Sequence, residues 1–183
     1  LPQIDPKILN RLKQCDYVFA DLEGPIESSK NPIIKSGPSL NSSKEIVDFL
    51  TDLGVTHACC ANNHIMDYGP KGLTNTINLL ADAGIECLGI FNEEKQNAYV
   101  ILEEAKKKIA VLNICEDEFS TIHARSGAYS ISKVESLFDE MNQAGTFDRI
   151  IVVVHSGIEN IPIPPIYLLD LNRWLITKNV DLV

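Results

Sequence analysis

The sequence predicts an α/β fold. Strand-like and helix-like segments alternate in the order βαβαβ…βαβ, which is the pattern of a layered α–β–α domain. Ile150-Ile151-Val152-Val153-Val154 is a continuous β-branched run, the mark of a central strand covered on both faces. Polar clusters fall just past the carboxyl ends of the apolar runs, the edge where open α/β sheets hold ligands.

The elements follow from local pattern. Asp5-Pro6 starts a short helix with Ile8, Leu9 and Leu12 on one face, and Tyr17-Val18-Phe19-Ala20 reads as a buried strand. Residues 24–41, with Gly24, Pro25, Pro32, Gly37 and Pro38, form a long loop. Ser42 and Glu45 make a capping box for a helix striped with Ile46, Phe49, Leu50 and Leu53, closed by Gly54. Val55 to Ala61 is the next strand. Pro70 opens a helix lined by Leu73, Ile77 and Leu80 that ends at Gly84.

Ile85 to Leu88 is a short strand. Ala98–Leu102 and Ile109–Ile114 pair as a hairpin around the charged turn Glu103–Lys108. Ser132 and Glu135 form a second capping box, followed by Val134, Leu137, Phe138 and Met141 and a stop at Gly145. Pro164-Pro165 opens a last helix with Leu168, Leu171 and Leu175 on one side, and Val180–Val183 begins another strand. Repeats and low-complexity segments are absent.

With 183 residues the chain makes one domain with a sizeable core, spanning residues 1–183. A hydrophobic fraction of 45% and a mean hydropathy of +0.01 are ordinary for a globular protein. The net charge is -9 and the longest basic run is Lys106-Lys107-Lys108, which excludes nucleic acid binding by counterion release. An acidic protein still binds anionic substrates where a metal supplies local positive charge. The cysteines, Cys15, Cys59, Cys60, Cys87 and Cys115, contain no CxxC pair, so they read as buried free thiols rather than a zinc knuckle or redox motif. No bilayer-spanning apolar stretch or signal peptide is present. The chain reads as cut at both ends, because it opens on Leu1-Pro2 and stops at Val183 inside an apolar run.

The most informative stretch is Ala61-Asn62-Asn63-His64-Ile65-Met66-Asp67-Tyr68-Gly69, which crowds amides, an imidazole and a carboxylate into one strand-to-helix turn. Asp21 and Glu23, Asn113, Glu116 and Glu118, and His155 and Glu159 fall at the ends of the other strands. Carboxylate, amide and imidazole groups are ligands for divalent Mn, Zn, Fe or Mg. A metal in such a cleft activates water, and a neighbouring histidine that does not bind it can protonate a leaving group.

Each residue also has a plainer reading. Asp21 and Glu23 fit a solvated turn, Asn62 a helix cap or turn brace, Asp67 a turn former, and Glu116 and Glu118 a solvated loop. His57 and His123 read as structural or surface histidines, Cys59-Cys60 as strand packing, and Trp174 with the 168–175 stripe as core or a partner face. His155, at the end of a valine-rich strand, would need partners if buried.

Ala20-Asp21-Leu22-Glu23-Gly24-Pro25-Ile26, Ala61-Asn62-Asn63-His64 with Asp67-Tyr68-Gly69, and His155-Ser156-Gly157-Ile158-Glu159 together resemble the bacterial capsule synthesis protein family, the CapA-type proteins of poly-γ-glutamate biosynthesis. The resemblance runs from about Asp16 to Val183, with the Asn-Asn-His turn its most specific part. The family is similar to the calcineurin-like metallophosphoesterases, so the resemblance implies a four-layer α/β/β/α sandwich with a dinuclear divalent-metal site. It implies Glu23 as bridging acid, Asn63 and His155 as metal ligands, His64 as general acid and Asp67 as the carboxylate that orients it. Asp21 stands as a further ligand, and Asn62, Glu116 and Glu159 as residues facing substrate.

The chain departs from the family pattern. Asp21 stands where the family usually has Asn, and Ser156 where it usually has Trp. The Gly-Asp motif of the first strand and the His-Pro-His motif expected after Val183 are absent, leaving about half a dinuclear site. The resemblance implies an anionic polymer or phosphorylated small molecule as substrate, capsule synthesis machinery as partner, and the cytoplasm or membrane of a bacterium as location. Three functions stay open: a phosphoesterase-like hydrolase, a non-catalytic scaffold or polymer-handling subunit, and a γ-glutamyl amide hydrolase.

Overall fold

The computed structural model describes residues 4–27, 31–122 and 125–183; His123 lies outside the described residues. In chain order the elements are α1 (Pro6–Leu12), β1 (Phe19–Asp21), α2 (Glu45–Asp52), β2 (His57–Cys59), α3 (Gly69–Asp82), β3 (Glu86–Leu88), β4 (Ile90–Phe91), β5 (Gln96–Asn97), β6 (Tyr99–Glu104), β7 (Lys107–Cys115), β8 (Gly127–Ala128), α4 (Val134–Ala144), β9 (Arg149–His155) and α5 (Ile166–Thr177). A short 3-10 turn, Ile131–Lys133, leads into α4.

Two of the sheets face each other. One is parallel in the order β1-β2-β3, with Phe19 opposite His57 and His57 opposite Glu86. The other runs β6-β7-β9, antiparallel between β6 and β7 and parallel between β7 and β9. Three apolar cores separate the layers. The first joins β1–β3 to α2 and α3 through Val47, Leu50, Ala58, Leu73, Ile77, Leu80 and Cys87. The third lies between the sheets, where Leu88 and Phe19 meet Leu102, Val111, Ile151 and Val153. The second joins β6, β7 and β9 to α4 and α5 through Leu112, Ile114, Val152, Leu137, Phe138, Met141, Leu171 and Leu175. The result is the four-layer α/β/β/α sandwich.

Strand periodicity explains the layering. Along β9, Ile150, Val152 and Val154 face the helices, while Ile151 and Val153 face the other sheet. Along β7, Ala110, Leu112 and Ile114 face the helices, and Ile109 and Val111 the opposite way. Successive side chains of a strand alternate sides, so a run apolar at every position suits only a strand buried on both faces. Beyond β9, Leu182 makes a parallel bridge to Ile151, so the strand expected at Val180–Val183 begins there.

Several local expectations shift. The first strand starts at Phe19 and takes in Asp21, because Val18 is held by Thr56: its N–H donates to Thr56 Oγ1 at 2.9 Å. The charged turn of the hairpin shrinks to Ala105-Lys106, with φ of 49° and 68°. Opposite charges face each other at Glu104/Lys107 and Glu103/Lys108, which carries the ladder through residues that read as turn.

Neither capping box forms. Ser42 is taken by a bridge to Ile26, and α2 starts at Glu45 with Lys44 as its N-cap and no side-chain cap. Ser132 Oγ donates to Asp117 at 2.8 Å instead of capping α4. The small antiparallel sheet β5-β4-β8 went unpredicted, since two-residue strands carry no readable period. Helix α1 forms with Asp5 as its N-cap, but Ile8 stays 56% exposed, so its apolar face is only partly used.

Cys59, Cys60, Cys87 and Cys115 are buried free thiols and Cys15 is exposed. Burial pushes the Cys59 and Cys115 thiols up to about 12, so they stay protonated and behave as small apolar side chains.

Candidate functional site

The site is built on strand ends. Residues Asn62, Asn63 and His64 leave the end of β2, Glu23 follows β1, Glu116 and Glu118 follow β7, and His155 closes β9. Because β1–β3 belong to one sheet and β7 and β9 to the other, the clusters meet only where the two sheets abut. A cavity of about 1170 Å³ opens there, and Glu23, Asn63, His64, Glu116, His155 and Glu159 all line it.

Asn113 holds the two sheets together beside it. Its side chain is 1% exposed; its Oδ1 accepts from the Ala61 N–H at 2.9 Å and its Nδ2 donates to the Val153 carbonyl at 3.2 Å. Gly89 lets this happen: a Cβ there would sit 2.2 Å from Asn113 Oδ1.

The turn after β2 is tied from within. Asn62, expected at the substrate, is instead fully buried and absent from the cavity wall. Its Oδ1 accepts from the His64 N–H at 3.1 Å and the Gly24 N–H at 3.4 Å, and its Nδ2 donates to the Leu22 carbonyl at 2.9 Å. The bonds lock the β1 and β2 loops together, as the turn-brace reading requires.

Asp67 is also fully buried. Its Oδ2 accepts from the Leu40 N–H at 2.7 Å and lies 2.7 Å from His64 Nδ1. Its Oδ1 pairs with the Lys35 ammonium, which lies 3.0 Å from His64 Nδ1. On the far side of the ring, His64 Nε2 is 3.7 Å from Glu23 Oε1 at the cavity wall. The imidazole is therefore gripped at Nδ1 and open at Nε2.

Across the cavity His155 Nδ1 lies 3.6 Å from Asp21 Oδ2. The Asp21 carboxylate raises the His155 pKa above its ordinary value, against the opposing effect of burial. Glu116 accepts from the Gly157 N–H at 3.0 Å and from the Tyr167 hydroxyl, which fixes the segment after β9 and the first turn of α5. That bond pushes the Tyr167 phenol up to about 12. Glu159 lies on the exposed part of the wall.

Divalent-metal chemistry fits the donor types here. Asn63 Oδ1 is buried without a hydrogen-bond partner, as expected of an oxygen meant for a ligand. The shell is partial: among the described residues no three His, Cys, Asp or Glu side chains converge as a metal-binding group. Lys35, Tyr167 and Phe119, whose ring lies 5.5 Å from the Lys35 ammonium, went unnoticed in the sequence. Lys35 sits in an irregular Pro- and Gly-rich loop, where no periodicity marks a buried position.

The family model of bacterial capsule synthesis protein PGA_cap matches residues 3–183. The chain belongs to this family. It is 35% identical over 101 residues to the PGA biosynthesis protein CapA of Bacillus subtilis (strain 168), covering 54% of this chain and 24% of that protein. It is 27% identical over 160 residues to the capsule biosynthesis protein CapA of Bacillus anthracis, covering 81% of this chain and 39% of that protein. The chain thus spans well under half the length of these relatives. Its fold is similar to that of Haemophilus influenzae NAD nucleotidase, with a TM-score of 0.51 and 16% identity over 70% of this chain and 23% of that one. The likeness to this nucleotidase is one of fold.

Proposed function

We propose that this chain is one CapA-like domain that carries a metal-dependent, phosphoesterase-like hydrolase site serving capsule or poly-γ-glutamate biosynthesis. The observation that carries the reading is His64, held at Nδ1 by Asp67 and open at Nε2 toward Glu23 in the cavity. In its doubly protonated form a ring so fixed can give the Nε2 proton to a leaving-group oxygen, and is left as the neutral Nδ1–H tautomer with that proton still on the carboxylate.

Glu23, Asn63, His155 and Asp21 would hold the metal, which when bound supplies Lewis-acid polarisation of the scissile group and an activated water. Positive charge is needed: Glu23, Glu116, Glu118 and Glu159 line the cavity, and Lys35 is its one lysine or arginine among the described residues. An anionic polymer or a phosphorylated small molecule entering this wall meets repulsion unless a cation offsets it. Glu116 and Glu159 line the same cavity and would face the substrate. Among the described residues no helix is long and apolar enough to cross a membrane.

The partial ligand set favours a second reading, a scaffold or polymer-handling subunit of capsule assembly machinery; γ-glutamyl amide hydrolysis is a variant of the first. His64→Ala separates them. Loss of metal-dependent hydrolysis across a phosphoester and γ-glutamyl panel, with capsule output lost in cells, supports the enzyme. Unchanged capsule output with His64→Ala, and no metal-dependent hydrolysis by the parent protein, overturns it.

A further inference from the structure

We propose that Lys35 is a positioning residue for His64, holding Asp67 in the one orientation that keeps the imidazole proton on Nδ1 and leaves Nε2 facing the cavity. The inference rests on the reading of His64 as proton donor, and deepens it.

The Lys35 side chain is 2% exposed and its partner carboxylate is fully buried. A buried lysine is retained only with its charge matched. Its loop is fastened to the catalytic turn twice more: the Ile33 N–H donates to the Asp67 carbonyl at 2.8 Å and the Leu40 N–H to Asp67 Oδ2 at 2.7 Å. Loop 31–40 is thus a strap across the turn, with Lys35 under it.

The donor and acceptor inventory assigns the tautomer. His64 Nδ1 faces an acceptor-only carboxylate at 2.7 Å and a donor-only ammonium at 3.0 Å. One ring nitrogen cannot serve both. The carboxylate is nearer, and the ammonium already has Asp67 Oδ1 as partner, so Nδ1 carries the proton and donates to Oδ2. The two carboxylate oxygens are then divided, Oδ1 to Lys35 and Oδ2 to Leu40 N–H and His64. Without Lys35, Oδ1 would be a buried unsatisfied charge, and the carboxylate would rotate or take up a proton. Either change releases His64 Nδ1.

The test is long-range 1H–15N correlation NMR of the imidazoles in the metal-free protein, under conditions where the His64 ring is neutral. The wild-type protein should show the Nδ1–H tautomer of His64; an Nε2–H tautomer overturns the proposal without any variant. Lys35→Met should give a mixture of tautomers or the Nε2–H form, and Lys35→Arg should restore Nδ1–H. A pure Nδ1–H form in folded Lys35→Met overturns the proposal. In hydrolysis assays Lys35→Met should lower kcat about 10–100-fold with KM little changed, the size usual for a group that orients a ligand or catalyst. If the NMR result holds but His64→Ala leaves hydrolysis intact, the catalytic reading fails and the positioning result stands.

Discussion

Asn113 Oδ1 accepts a hydrogen bond from the backbone N–H of Ala61 at 2.9 Å, and this bond joins the two sheets where the Asn63-His64 turn begins. Asn113 sits on β7 and Ala61 just past β2. The cavity opens beside the turn that follows Ala61, with Asn63 and His64 on its wall.

Asn113→Leu therefore removes the acceptor of a buried N–H and should destabilise the fold by about 1–3 kcal/mol. Gly89→Ala should also destabilise it, since a Cβ there lies 2.2 Å from Asn113 Oδ1 and 2.6 Å from Ala61 Cβ, at a φ of +83°. Urea denaturation of Gly89→Ala, of Asn113→Ala and of the two combined should show non-additive costs, because the smaller side chain at 113 relieves one of the two clashes. Strict additivity would mean that Asn113 does not need the clearance that Gly89 provides.

Removing one member of the buried Lys35–Asp67 pair should be far more costly than trimming a surface charge. Asp67→Ala should lower stability by about 3–5 kcal/mol, because it strands a buried ammonium. The double variant Lys35→Met with Asp67→Leu should recover much of that loss in the same denaturation measurement, while activity stays low. Failure to recover stability would place the cost in the lost Leu40 and His64 bonds rather than in the charge.

The Asp21–His155 contact makes a pH prediction. The folded pKa of His155 is raised, chiefly by Asp21. The stability from this pair is fully present below the unfolded value of about 6.5 and is lost as pH rises through the folded value. NMR titration of the metal-free protein should place the His155 midpoint above that of His57, which burial lowers. Asp21→Asn should move the His155 midpoint down, since the burial effect then acts with less opposition.

The Tyr167–Glu116 bond is read by tyrosine absorbance. Tyr167 should ionise near 12. Glu116→Gln should bring that phenol back toward 10, its ordinary value, and Tyr167→Phe should delete the step. The same variants should speed amide hydrogen exchange at Gly157, whose N–H donates to Glu116.

Much of this was legible in the chain. The alternation of strands and helices, the doubly covered run Ile150–Val154, the glycine stops at Gly54, Gly84 and Gly145, and the placing of polar clusters at strand ends all rest on local pattern. Helical and strand periodicities are properties of neighbouring residues, so one sequence displays them. The motif turn at Asn62–Gly69 carried the family likewise, through residues adjacent in the chain.

Tertiary structure alone decided which of these residues meet. Asn62 and Asn63 are neighbours of like chemistry, yet one is sealed into the β1–β2 turn and the other leaves a bare oxygen at the cavity. Lys35 comes from a loop without periodicity and becomes the partner of Asp67, 32 residues on by their numbering. Ser42 and Ser132 have capping-box spacing but are claimed by Ile26 and Asp117. In each case a long-range partner outcompetes the local one. A polar group buried by packing must take whichever partner the fold supplies, and that supply is not written in the residues beside it.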